Sequence, residues 1–228
     1  MIRTGDNRGW LFFLPPRVIR QRWSLAWCVL ACVACAQVNP GYAAERSVTI
    51  LTSGLQDERV GPANEAVDFW NEVLAGLGVA TRLGQPVVQS ETPRVVESYA
   101  RLIAQRAGRL PVPARLEPEV PKALGAIDGD IILLLSEQDI MSFAWALPHF
   151  DPKRYLVVIR KVRGLDRNDP MVSRHVVAHE LGHALGLFHN DAPHTLMCGP
   201  CQPLIAESDV NGFLPLTDEE RTRLVELH

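Results

Sequence analysis

Residues 179–189 read HELGHALGLFH and hold three of the chain's seven histidines. His179 and His183 are four apart, and on an α-helix that spacing puts both imidazoles on one face. Neutral imidazole nitrogens suit a divalent ion such as Zn²⁺, which they bind at about 2.0–2.1 Å. Glu180, beside the first of them, can reach a water on that ion without being a ligand, which is the HExxH arrangement. A catalytic site of this kind takes a third protein ligand and leaves one position open. On a continuous helix His189 would be turned from His179 by about 1000° and lie about 15 Å further along the axis. Gly186 removes that difficulty, because glycine adopts positive φ, ends a helix and lets the chain turn back. Gly182, inside the helix, has a different part and permits close packing.

The five fixed positions of HExxHxxGxxH make a chance match on the order of one in a hundred thousand. Followed by HTLM at residues 194–197, the segment resembles the metzincin metalloproteases, and among them the matrixins. The resemblance implies a zinc-dependent endopeptidase. In it His179, His183 and His189 bind one catalytic Zn²⁺ and Glu180 is the general base that takes a proton from water. Met197 is the residue of a tight turn, the Met-turn, beneath the metal. Residues Phe143, Ala144, Trp145, Ala146 and Leu147 are similar to the family's edge strand, along which a protein or peptide substrate lies extended. The fold implied is an α/β (α+β) domain of zincin type: a mixed twisted sheet, a long active-site helix, and a small C-terminal subdomain with a terminal helix. The resemblance is specific over residues 172–201. Residues 91–125 do not match a minimal matrixin and read as an insertion within a single catalytic domain, 45–228.

Two other functions fit parts of the sequence. One is a catalytically inactive zinc-binding module; the intact Glu180 argues against it, since structural zinc needs no carboxylate there. The other is a thiol–disulfide oxidoreductase using Cys198 and Cys201, which form a CxxC pair. That motif normally follows a strand and opens a helix, whereas this one follows the expected Met-turn. A structural disulfide between Cys198 and Cys201 is the reading preferred here, with free thiols or extra metal binding as the remaining options. His175, one turn before His179, reads as a surface residue. Asp191 and His194 read as loop residues, as do His149 and Asp151 in place of a second ion site.

The elements that must position this site follow from periodicity. Residues 47–53 and 130–135 read as strands, the second an apolar run buried on both faces of a sheet. Residues 80–89, 143–147 and 155–162 read as further strands. Gly61-Pro62 opens a helix lined by Val67, Trp70, Leu74 and Leu77 and stopped by Gly78. Thr92-Pro93 reads as a cap and first-turn proline for a helix lined by Val95, Val96, Tyr99, Leu102 and Ile103 and ending near Gly108. Asp169-Pro170 starts the helix that carries the motif to about Leu185. Thr217 and Glu220 form a capping box for a last helix through Leu224 and Leu227. The order predicts an α/β sandwich with a mixed sheet.

Composition sets the remaining bounds. With 47% hydrophobic and 21% charged residues the chain can build a sizeable core. A net charge of −3 gives no nucleic-acid footprint. Residues 1–44 are different: five arginines stand against one acid, Asp6, ahead of the apolar run WSLAWCVLACVACA. That run is too short for a bilayer span and reads as a signal peptide, with small residues near Ala44 for cleavage. Cys32 ends a lipobox-like VLAC, so a lipid anchor at the cell envelope is the alternative to a secreted or periplasmic protein. Contact with a membrane is expected only through that signal or anchor, and a monomer is expected.

Overall fold

The structure is a computed structural model, and it describes residues 44–106, 118–161, 170–199 and 212–228. The chain divides into Met1–Gly41 and Tyr42–His228. The first unit, with the expected leader and Cys32, lies outside the described residues. Of the second, Cys201, Asp169, Gly108 and Val162 also lie outside them.

The elements run β1 (Glu45–Arg46), β2 (Val48–Leu51), α1 (Val60–Gly76), β3 (Arg82–Leu83), β4 (Val87–Gln89), α2 (Arg94–Ala104) and the single turn α3 (Lys122–Gly125). They continue β5 (Ile131–Leu135), β6 (Phe143–Ala146), β7 (Tyr155–Ile159), α4 (Pro170–Ala184) and α5 (Asp218–Leu227). The main sheet has the order β4-β2-β5-β7-β6, and β1 pairs with β3 in a separate ribbon. All neighbours in the main sheet are parallel except β6, which runs antiparallel to β7 at one edge. This is the expected mixed α/β architecture, with a long motif-bearing helix and a terminal helix.

The apolar run of β5 follows from its central place. Ile131, Leu133 and Leu135 enter one core with Trp70 and Leu74 of α1 and Val177, Ala178 and Leu181 of α4. Ile132 and Leu134 enter a second core with Val96, Tyr99 and Ile103 of α2. Both faces are therefore covered, and each such side chain contributes about 1.5–3 kcal/mol on burial. Helix α1 ends as expected, with Gly78 at φ 71°. Its Trp70 is fully buried and donates from Nε1 to the Ala178 carbonyl of α4 at 2.9 Å. That bond fixes α4 one residue before His179.

Several local expectations are corrected. Residues 80–89 are not one strand: Gly84 and Pro86 separate β3 from β4, which belong to different sheets. Thr92 does not cap α2. The N-cap is Pro93, which has no side-chain oxygen, and the Thr92 hydroxyl is buried without a partner. On α2, Val95 and Leu102 face outward, at 45% and 47% exposed, because only one stripe of the helix meets the sheet. The edge strand stops at Ala146, although Leu147 N–H still donates to Arg154 O at 2.8 Å. In α5, Leu224 is buried but Leu227 is half exposed. Apart from these corrections, α2 and α3 supply Val96, Tyr99, Ile103 and Leu124 to the second core. Among the described residues no helix is long and apolar enough to cross a membrane.

Candidate metal centre

Helix α4 is bounded by its own chemistry. Pro170 lies in its first turn, where a missing N–H leaves nothing unsatisfied. At the other end Gly186 takes φ 95°. Its N–H donates to His183 O and the Leu187 N–H donates to Gly182 O, both at 3.0 Å. This pair of bonds is the Schellman termination, which a left-handed glycine permits. The carbonyls left free at the turn are taken up by side chains. Arg46 Nη1 donates to Ala184 O at 2.8 Å, His228 Nε2 to Leu185 O at 3.0 Å and Arg223 Nε to Gly186 O at 2.7 Å.

The reversal at Gly186 brings the three predicted histidines together. Nε2 of His189 lies 3.1 Å from Nε2 of His179 and 3.1 Å from Nε2 of His183. The opposite nitrogens of the helical pair face carbonyls. His179 Nδ1–H donates to Leu196 O at 2.7 Å and His183 Nδ1–H donates to Leu187 O at 2.9 Å. A neutral imidazole that donates through Nδ1–H carries its lone pair on Nε2. The Nε2 lone pairs of His179 and His183 thus face the same place beside His189 Nε2, an arrangement that suits a cation. Four-coordinate zinc separates nitrogen ligands by about 3.3 Å, so the donor set fits it. Among the described residues this is the one group of three or more His, Cys, Asp or Glu side chains with ligand atoms within 4.8 Å of one another. His149, Asp151, Asp191 and His194 are not part of it.

Burial sets the electrostatics. Desolvation lowers the pKa of His179, partly offset by its bond to Leu196 O, and lowers that of His183 to about 4. Both rings are therefore neutral and ready as ligands at ordinary pH. Glu180 is 7% exposed, and desolvation raises its carboxyl to about 8 in the metal-free chain. His175 corrects an expectation. It is 4% exposed, donates from Nδ1 to Met171 O at 2.8 Å and accepts the Leu214 N–H on Nε2 at 3.2 Å. It joins α4 to the segment before α5 and is neither a surface residue nor a member of the cluster.

Two glycines set the packing beneath the rings. A Cβ on Gly182 would lie 2.5 Å from Met197 Sδ and 3.1 Å from Trp70 Cζ2. Met197, fully buried, therefore lies directly against the helix turn between His179 and His183. Gly182→Ala should destabilise the protein in a urea titration. Overpacking of about 1–3 kcal/mol exceeds the helix-propensity gain of about 1 kcal/mol. A Cβ on Gly199 would come within 2.9 Å of the His189 ring. Gly199 N–H donates to Asn190 O at 2.9 Å, and Cys198 is disulfide-bonded. Gly199 thus buttresses the third histidine, a role its place in the sequence did not reveal.

Residues 130–220 match the family Peptidase_M10, Matrixin. No curated protein matches the chain. Among solved structures, metalloproteinase-II from Bacteroides fragilis aligns with TM-score 0.45 and 15% identity, over 82% of this chain. This chain spans 54% of the length of that protein. Archaemetzincin from Methanopyrus kandleri aligns with TM-score 0.44 and 14% identity, over 83% of this chain and 98% of the other. A zinc-dependent peptidase from Methanocorpusculum labreanum aligns with TM-score 0.31 and 17% identity, over 78% and 92%. The match over residues 130–220 spans β5 to the start of α5 and contains the whole histidine cluster. Over that stretch the chain is similar to the matrixins.

Proposed function

We propose that this protein is a zinc-dependent endopeptidase that cleaves extended protein or peptide segments. One observation carries the reading: His189 Nε2 lies 3.1 Å from Nε2 of both His179 and His183, while those two rings are oriented by carbonyls on Nδ1. His179, His183 and His189 would hold one Zn²⁺. When bound, zinc supplies Lewis acidity, which polarises a carbonyl and lowers the pKa of water. Glu180, buried on the turn between the helical ligands, takes the proton of the attacking water and returns it to the leaving amine. Met197 serves as the apolar floor, held by Gly182 and Trp70. Among the described residues strand β6 lies at the edge of the sheet, and its backbone groups pair with the substrate as an added strand. Export fits a catalytic unit with a disulfide-bonded Cys198. The leader at residues 1–44, whether cleaved or lipidated at Cys32, and a monomeric state belong to the same proposal.

The test is a peptide-library digest with the purified chain. Internal cleavage that stops with a chelator and returns on adding zinc is the expected result. Trimming from peptide ends alone would replace the endopeptidase assignment, and cleavage indifferent to chelation would overturn the metal reading.

A further inference from the structure

His189 is the one cluster member not carried by α4. Among the described residues no carbonyl accepts from its Nδ1, so its ring is placed through its backbone and neighbours. Asn190, next in the chain, is committed on every side. Its N–H donates to Met197 O at 3.0 Å and its carbonyl accepts the Gly199 N–H at 2.9 Å. Its Oδ1 accepts the Ala192 N–H at 2.8 Å and the Thr195 hydroxyl at 3.0 Å. Its Nδ2 donates to Glu220 Oε1 at 2.6 Å.

Glu220 serves two partners. Its Oε2 accepts the Thr217 N–H at 2.8 Å, which closes the capping box of α5. That box requires an acid or amide at this position. It does not require the second bond, to a residue thirty positions earlier. Glu220 is 6% exposed, so the Asn190 bond is shielded from water. Arg223 on the same helix donates to Gly186 O, at the turn from which the His189 loop departs.

We propose that Asn190 and Glu220 are positioning residues for the metal site. The terminal helix, through this one side-chain bond, holds the His189 loop where its Nε2 meets those of His179 and His183. The inference rests on the zinc reading above. A ligand on a loop binds weakly unless the loop is ordered before the ion arrives. Partners that orient ligands typically change metal affinity by about 10–100-fold when removed.

Asn190→Asp keeps the Oδ1 acceptor for Ala192 and Thr195 but sets a second carboxylate oxygen against Glu220. Zinc affinity, read by competition with a chromophoric chelator, should fall about tenfold. Adding Glu220→Gln reverses the polarity of the bond: the new amide donates across it, and its oxygen still accepts from Thr217 N–H. Affinity should return to within about twofold of wild type. Thr217→Ala removes the cap hydroxyl but not the Asn190 bond; it should lower the thermal midpoint and leave zinc affinity unchanged. Wild-type affinity in Asn190→Asp overturns the proposal, as does an affinity loss in Thr217→Ala equal to that of Asn190→Asp. If the single variant does not fold, the double variant decides, and affinity tenfold or more below wild type overturns it. Wild-type protein that takes up no stoichiometric zinc sinks the metallopeptidase reading as well, and so separates the two failures.

Discussion

Glu180→Gln should lower peptide hydrolysis by about 10²–10⁴-fold, the usual contribution of a positioned general base, with zinc content and fold unchanged. Glutamine keeps the shape of the side chain but cannot take a proton from water. The size of the loss follows from the setting. Glu180 is 7% exposed on α4, and desolvation alone raises its pKa to about 8 in the metal-free chain. A raised pKa makes the ionised carboxylate a stronger base. A divalent cation beside it favours the charged form, so loading with metal brings the pKa back down. Activity requires the deprotonated carboxylate, so kcat/KM should rise with pH along a limb that lies below pH 8. Stripping the metal should move the carboxyl titration up toward 8, which difference infrared spectroscopy of wild type against Glu180→Gln would read. A zinc-replete Glu180→Gln variant hydrolysing at the wild-type rate would remove this residue from the chemistry.

Metal removal should have the largest effect on stability. An ion present at about 1,000 times its dissociation constant adds about 4 kcal/mol, on the order of 10 °C in the thermal midpoint for a domain of this size. The metal-free protein should also be sensitive to acid. His179 and His183 have folded pKa values below the ordinary 6.5, the second about 4, both through desolvation. Unfolding lets each ring take up a proton more readily. Their contribution is therefore complete above pH 6.5 and is lost as pH falls through the folded values, toward 4 for His183. Glu180 has the opposite sign. Its folded pKa is raised, so its contribution is complete below the ordinary 4.5 and is lost as pH rises through about 8. Urea titrations of the apoprotein across pH 4–9 would read both slopes. A chelated protein with the midpoint and acid profile of the zinc-loaded one would mean that the histidines bind no structural or catalytic ion.

Much of this was legible in the order of residues, for a physical reason. Helix geometry fixes which side chains share a face, so the spacing of His179 and His183 already specified a bidentate pair. Gly186 specified a left-handed stop, because a side chain there would be strained; the observed φ of 95° is that stop. The unbroken apolar run of β5 specified a strand covered on both sides, since no half-exposed strand can bury five consecutive side chains. The capping box of Thr217 and Glu220 is likewise a local pattern, readable within four residues. Local signals misled where packing had the last word. Thr92 looked like a cap, but its hydroxyl is turned into the protein. His175 looked like a surface residue, yet the segment before α5 covers it.

The sequence by itself determined the chemistry: which side chains can be ligands, which carboxylate stands beside them, and where the helix must end. Only the tertiary structure decided what holds His189 in place. Its supports are the Gly199 backbone against its ring, the Asn190–Glu220 bond, and arginines from β1 and α5 at the turn. These partners lie up to 138 positions apart in the chain. A hydrogen bond depends on distance in space, and no periodicity of the backbone relates residues so far apart, so their pairing waits for the fold.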